Sequence, residues 1–257
     1  MRILITNDDG ISAPGLQVLE EIAATLSDDI WVVAPAFEQS GVGHCISYAR
    51  PFMIQQIGDR RVAVEGSPAD CVLAGLHEVL PGAPDLILSG VNRGNNSAEN
   101  ALYSGTLGAA IEGSLQGVPA IALSQFYGPR NAGANHPFEA SAEPGAEVIR
   151  RILDANPKDQ DGYQLFYNVN FPPVLAADVK GIAVVPQGLR PGLGFHTEAT
   201  QSPSGRQFLW VRGGNQQATT APGTDVDRNL DGYISVTPMR ADFTAHDQLA
   251  ALESIAR

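Results

Sequence analysis

The stretch from Met1 to Pro35 constrains the fold more than any other. Its apolar run Ile3–Ile5 reads as a buried strand. "APGLQVLEEIAATL" then places Leu16, Leu19, Ile22, Ala23 and Leu26 at helical spacing, with Pro14 in the first turn, where the missing amide proton is not needed. "DIWVVAP" is a second β-branched run, ending at Pro35. Strand, helix and strand in that order make a βαβ unit, whose two strands must lie parallel.

The alternation continues. "PGAPDLILSGVN" carries a buried strand, Leu86 to Val91, and "SGTLGAAIEGSLQG" a helix whose small residues allow close packing on a sheet. "VPAIALS" is a strand, "AEPGAEVIRRILDANP" a helix with a proline stop, and "QLFYNVNFP" and "GIAVVPQ" are late strands. This order predicts an α/β, Rossmann-like, doubly wound and mostly parallel sheet with helices on both faces. From residue 188 the chain turns Gly- and Pro-rich, which predicts an extended hairpin arm around "SPSG". A strand at "GYISVTP" and a short C-terminal helix at "HDQLAALESIA" follow. With 257 residues, 44% hydrophobic, the chain supports one domain. Residues 1–187 are expected to form its core and 188–257 the arm and the C-terminal elements.

Several functional classes are excluded. A net charge of -12 argues against a broad nucleic-acid or anionic-membrane surface. Two cysteines, Cys45 and Cys71, are too few for a disulfide framework or zinc cluster. No basic-then-apolar leader and no run near the roughly 20 residues of a membrane span is present, so a cytoplasmic protein is expected. There is no P-loop and no G-x-S-x-G elbow. "GVGHCI" lacks the last glycine of a dinucleotide fingerprint, and Arg50 falls one position short of a cysteine-phosphatase loop on Cys45. The histidines show no zinc-binding spacing; His44 stands out only because it follows Ser40 closely. "DVDRNLDGYI" begins like a calcium loop at Asp227, Asn229 and Asp231, but Pro238 occupies the position of the closing glutamate. It is read as a turn entering a strand.

The strand ends carry the chemistry. In open parallel sheets, ligands bind beyond the carboxyl ends of the strands. The first strand ends in Asn7-Asp8-Asp9-Gly10, the second leads to Ser40, and the third ends with Ser89, Asn92, Asn95 and Asn96. Two adjacent carboxylates repel, unless a cation lies between them. Carboxylates, a hydroxyl and amides are all oxygen donors and suit Mg²⁺ or Mn²⁺. The alternative is a turn and helix cap. Next, Ser104, Gly105 and Thr106 open a helix, where free amides and the dipole favour an anion. Cation and anion sites together suit a phosphate monoester.

The blocks "ITNDDGISAPGL", "VVAPAFEQSG", "GSPADCV", "DLILSGVNRGNN", "YSGTLGAAIEG", "NVNFP" and "TDVDRNLDGYISVTP" run in order over nearly the whole chain. They resemble the SurE family of stationary-phase survival proteins, metal-dependent 5′/3′-nucleotidases. The resemblance implies one divalent ion per subunit, Mn²⁺ or Mg²⁺, held by Asp8, Asp9, Ser40 and Asn92. It implies phosphate contacts from Asn96, Ser104, Gly105 and Thr106, and a nucleoside monophosphate substrate. It also implies a homodimer or homotetramer built partly by exchange of C-terminal elements. Asp9, as a proton carrier, and Asn96, as a stabiliser of developing charge, are the catalytic candidates. The chain departs from the family pattern at Ser67, at Ser97-Ala98-Glu99 and at Asn229, to which no role is assigned. Two other functions fit the same residues: a metal-dependent hydrolase of polyphosphate or sugar phosphates, and a non-catalytic nucleotide sensor.

Overall fold

The computed structural model describes residues 1–155, 164–190 and 194–256. β1 (Arg2–Thr6), α1 (Pro14–Ala24) and β2 (Asp29–Pro35) form the opening βαβ unit, with β1 and β2 parallel from Arg2↔Asp29 to Ile5↔Val32. A hairpin follows, β3 (Ile54–Gly58) and β4 (Arg61–Val64), then α2 (Pro68–Ala74). β5 (Leu86–Arg93), α3 (Gly105–Leu115) and β6 (Ala120–Gln125) make the next parallel unit. α4 (Glu139–Ala142), α5 (Gly145–Ala155) and β7 (Phe166–Phe171) come next. β8 (Ile182–Val184), the hairpin β9 (His196–Gln201) and β10 (Gln207–Arg212), α6 (Asp225–Asp231) and β11 (Ile234–Met239) complete the set.

The main sheet runs β3-β4-β2-β1-β5-β6-β7-β11-β8. Neighbouring strands are parallel except β3 with β4 and β7 with β11, so β3, β11 and β8 run against the others. Alternation along β1 explains the two layers of core. Ile3 and Ile5 face one side, among Leu16, Leu19, Ile22, Val148 and Ile149 of α1 and α5. Leu4 faces the other, among Cys71 and Val72 of α2 and Leu107 of α3. The chain goes from β1 to β2 on one side and returns to β5 on the other, so the order reverses at β1/β5, the switch point where such sheets bind ligands.

The α/β prediction and the hairpin arm agree with this architecture, and several details differ. Asp225–Asp231 is a helix rather than a turn, closed by Gly232 in the left-handed region at φ +103°. "DVDRNLDG" lacks an apolar stripe long enough to announce a helix; its signals are Thr224 before two acidic first-turn residues and a glycine after. The C-terminal helix is a pair of 3₁₀ turns, His246–Gln248 and Ala250–Ala256. The third predicted helix begins at Gly145 as α5, after Pro144, with the short α4 before it not foreseen, and its expected stop at Pro157 lies outside the described residues. The β3–β4 hairpin and α2 were not foreseen. β11, from the C-terminal portion, lies inside the main sheet between β7 and β8.

Candidate functional site

The second, first and third strands to carry polar ends are adjacent in the sheet, as β2, β1 and β5. Asn7 turns its Nδ2 back to donate to the Gly10 carbonyl (2.9 Å), which closes the Asn7–Gly10 turn. The Gln39 amide donates to the Asp8 carbonyl (2.7 Å), so the loop after β2 lies along this turn and brings Ser40 beside it. Ser40 itself is exposed and donates to Glu38 Oε1 (2.9 Å). On the other side, the Arg93 amide donates to Asp9 Oδ2 (3.0 Å). Asn92, the preceding residue, donates from Nδ2 to the Gly94 carbonyl (2.9 Å).

Asp8 is buried and Asp9 half-buried. Burial pushes the Asp8 carboxyl up to about 7, and the neighbouring Asp9 charge adds to this. The Thr106 hydroxyl opposes it by donating to Asp8 Oδ1 (2.7 Å). Asp9 is also raised by burial and by Glu38, against the Arg93 amide and guanidinium. Two crowded carboxylates with raised pKa values form a site that favours a compensating cation. No hydrogen bond among the described residues ends on Asp9 Oδ1 or Asn92 Oδ1, so both oxygens are free to coordinate. The donor set therefore fits a hard divalent ion.

Helix α3 starts against Asp8. A Cβ at Gly105 would fall 2.9 Å from Asp8 Cβ and 3.2 Å from its Oδ2, so only glycine permits this approach. Ser104 caps the helix, accepting from the Leu107 amide (3.1 Å). The Gly105 and Thr106 amides belong to the first turn, where helix geometry supplies no partner.

Asn96 stands behind Thr106 rather than in the open. Its Nδ2 donates to Ser124 Oγ (2.8 Å) and, at 3.3 Å, to Thr106 Oγ1. Its amide donates to Asn170 Oδ1 (2.7 Å), and its carbonyl accepts from Asn168 Nδ2 (2.8 Å). Asn229 on α6 donates to the Asn170 carbonyl (2.8 Å). The chain Asn96–Thr106–Asp8 thus links this buried amide network to the carboxylate. "NVN" held the signal for Asn168 and Asn170, since residues two apart on a strand share a face.

The loop 95–99 is also fixed. The Asp225 carboxylate accepts from the Ala98, Gly188 and Val226 amides at 2.7–2.8 Å. Buried Arg190 donates to the Ser97 carbonyl (3.1 Å) and pairs with Glu99 (3.3 Å). Glu99, at one of the positions that depart from the family pattern, thus has a partner that sequence reasoning missed. Tyr127 was missed as well: its hydroxyl, buried without a hydrogen-bond partner among the described residues, is raised by burial and by the Asp9 charge. His44 does not join the site. Its Nε2 meets Glu112 Oε2 (2.7 Å) on α3, one turn past Gly108 and away from the helix N-terminus. The Asp227 loop holds no calcium geometry, because its residues form α6.

An acidic oxygen-donor site at the switch point, facing a helix N-terminus, places this chain among the doubly wound α/β proteins that bind small ligands at strand carboxyl ends. The family model described as Survival protein SurE matches residues 3–192. A 5′-nucleotidase SurE of Roseobacter denitrificans is 66% identical over 99% of each chain. One of Ruegeria pomeroyi is 66% identical over 99% of each. The crystal structure of the SurE protein from Aquifex aeolicus aligns with a TM-score of 0.81 at 33% identity, covering 100% of both chains. The chain belongs to the SurE family.

Proposed function

We propose that this protein is a divalent-metal-dependent 5′-nucleotidase that hydrolyses nucleoside 5′-monophosphates, and 3′-monophosphates as well, to nucleoside and phosphate. The observation that carries the reading is the Asp8–Asp9 pair set against the N-terminus of α3, with Thr106 hydrogen-bonded to Asp8. Relatives named 5′-nucleotidase SurE support the reaction class.

Asp8, Asp9, Asn92 and Ser40 would hold one Mn²⁺ or Mg²⁺, Ser40 by exchanging its bond to Glu38. Such an ion supplies Lewis acidity toward a phosphoryl oxygen and lowers the pKa of a water at the site. The Gly105 and Thr106 amides and the Ser104 hydroxyl hold the remaining phosphoryl oxygens, and the α3 dipole favours their charge, while the Thr106 hydroxyl keeps its hydrogen bond to Asp8. Asn96 reaches the phosphate by exchanging its longer bond, to Thr106. With Asp9 Oδ1 given to the metal, Asp9 Oδ2, which accepts the Arg93 amide, takes the proton released from the attacking water. The leaving alkoxide takes its proton from solvent, since His44 is turned toward Glu112.

We also assign the protein to the cytoplasm; no helix among the described residues is long and apolar enough to cross a membrane. It works as a homodimer or homotetramer: Phe208, Leu209, Trp210 and Val211 on β10 are all exposed on a two-stranded sheet, which is marginal alone in water.

Metal-stripped protein assayed on 5′-AMP with and without Mn²⁺, beside Asp9→Asn, tests the reaction. Metal-dependent release of phosphate that collapses in the variant is expected. Equal, metal-independent turnover in both proteins overturns the site. Preference for polyphosphate over AMP in the same assay would instead favour the other hydrolase.

A further inference from the structure

The phosphate apparatus described above touches nothing that distinguishes a nucleotide from any other phosphate monoester. An aromatic pair beside it does. Tyr103 immediately precedes the α3 cap Ser104, and its ring meets Phe195 edge-on, with centroids 4.8 Å apart and planes at 76°. Both rings keep large free areas: Tyr103 is 48% and Phe195 45% exposed. Tyr103 also lies against the loop that carries Ser40, because its carbonyl accepts from the Gly43 amide (3.0 Å). Phe195 arrives from the arm, whose far strand returns beside it: a Cβ on Gly213 would fall 3.4 Å from the Phe195 ring. The root of the arm is tied down next to the same segment, where Asn100 Nδ2 donates to Gln216 Oε1 (2.6 Å).

Three elements therefore meet at this pair: the metal-side loop, the phosphate-side helix and the arm. We propose that Tyr103 and Phe195 form the platform on which the substrate's nucleobase stacks. The proposal rests on the phosphate site assigned above. Tyr103 stands two residues before the first of the amides that would hold the phosphate, next to the cap, and the platform takes the ester substituent on that side of the helix end. The exposed faces of the two rings, set at 76° to each other, offer a π-surface that any base can use, and the Tyr103 hydroxyl is the one hydrogen-bonding group of the pair itself. The occupant is thus a purine or pyrimidine ring, with purines favoured by stacking area.

The test compares AMP with ribose 5-phosphate, which carries the same phosphate and sugar but no base. Binding is measured calorimetrically on metal-free protein, and kcat and KM are measured with Mn²⁺. For Tyr103→Ala and Phe195→Ala, AMP binding should weaken and its KM rise about tenfold, with kcat within twofold. Ribose 5-phosphate should change less than twofold, and Tyr103→Phe should bind AMP like the wild type. Equal effects on both ligands, or none on AMP, overturn the platform. So does a change in oligomeric state by light scattering with parallel loss of both ligands, which would make the pair a contact between copies. A wild type that binds AMP more tightly than ribose 5-phosphate but hydrolyses neither would refute the nucleotidase and keep the platform.

Discussion

Asp8→Asn should abolish metal binding and yet stabilise the metal-free protein. The Asp8 carboxyl is raised from 3.8 to about 7, chiefly by burial. A raised folded-state pKa means that the folded chain holds a proton the unfolded chain releases. The associated stability is therefore complete below the unfolded value and is lost as pH rises from about 4 to about 7. A shift of about three units corresponds to about 4 kcal/mol at pH 8, as an upper limit, and to about 2 kcal/mol at pH 5. The neutral amide removes this loss and keeps an oxygen for the Thr106 hydroxyl. For a chain of this length each kcal/mol moves Tm by about 2–4 °C. In EDTA at pH 8, Asp8→Asn should melt several degrees above the wild type, and the gap should at least halve at pH 5. Adding Mn²⁺ should raise the wild-type Tm and leave the variant unchanged, because only a protein that binds the ion gains from it. Scanning calorimetry at the two pH values reads all of this. A variant less stable than the wild type by the same amount at both would refute the claim that buried charge at Asp8 opposes folding.

Other residues make separate predictions. Gly105→Ala should displace α3 from Asp8, costing about 1–3 kcal/mol by overpacking and weakening Mn²⁺ affinity together; a variant with unchanged Tm and calorimetric Kd would contradict the close approach. Thr106→Val removes the donor to Asp8, so at pH 8 AMP turnover should fall at least tenfold, with the metal-free Tm lowered too. Asn229→Ala strands the Asn170 carbonyl and should cost about 1–3 kcal/mol in urea denaturation, with Mn²⁺ affinity weakened as well. Asp225→Ala leaves three backbone amides short of an acceptor, so it should lose more stability than Asn229→Ala and loosen loop 95–99, read as faster amide exchange at Ala98.

The parts of the fold legible in the sequence are those with a clear period. Leu16, Leu19, Ile22 and Ala23 sit on one helix face and are all buried, so α1 was visible at once. β1, β2 and β5 read as strands because both faces are covered, which leaves no polar alternation to mislead. The β3–β4 hairpin gave no such signal, since β3 is exposed throughout and turns at Asp59-Arg60 rather than at a glycine pair. α6 is short and polar, and forms because Asp225 and Asn229 are drawn into buried networks that only tertiary structure creates. The candidate site divides the same way. Asp8, Asp9 and Asn92 follow strands and could be placed by topology, whereas the bond of Asn96 to Thr106 depends on packing between β5, β6 and α3, which spacing does not encode.

The stability argument and the site argument converge on one arrangement. A buried carboxylate that opposes folding persists only where its surroundings hold it in place. Here the restraints come from outside the metal donors. Thr106 fixes Asp8, Asn96 fixes Thr106, and Asn168, Asn170 and Asn229 fix Asn96 from β7 and α6. β11 packs beside β7, with Ser235 in register with Asn170, so the C-terminal portion backs the site although it contributes no donor to it. Truncation before α6 should therefore lose Mn²⁺ affinity even if the shortened chain remains folded. Isothermal titration on a folded truncation that bound Mn²⁺ as tightly as the full chain would show that the donors hold their own geometry, and that the amide network serves packing alone.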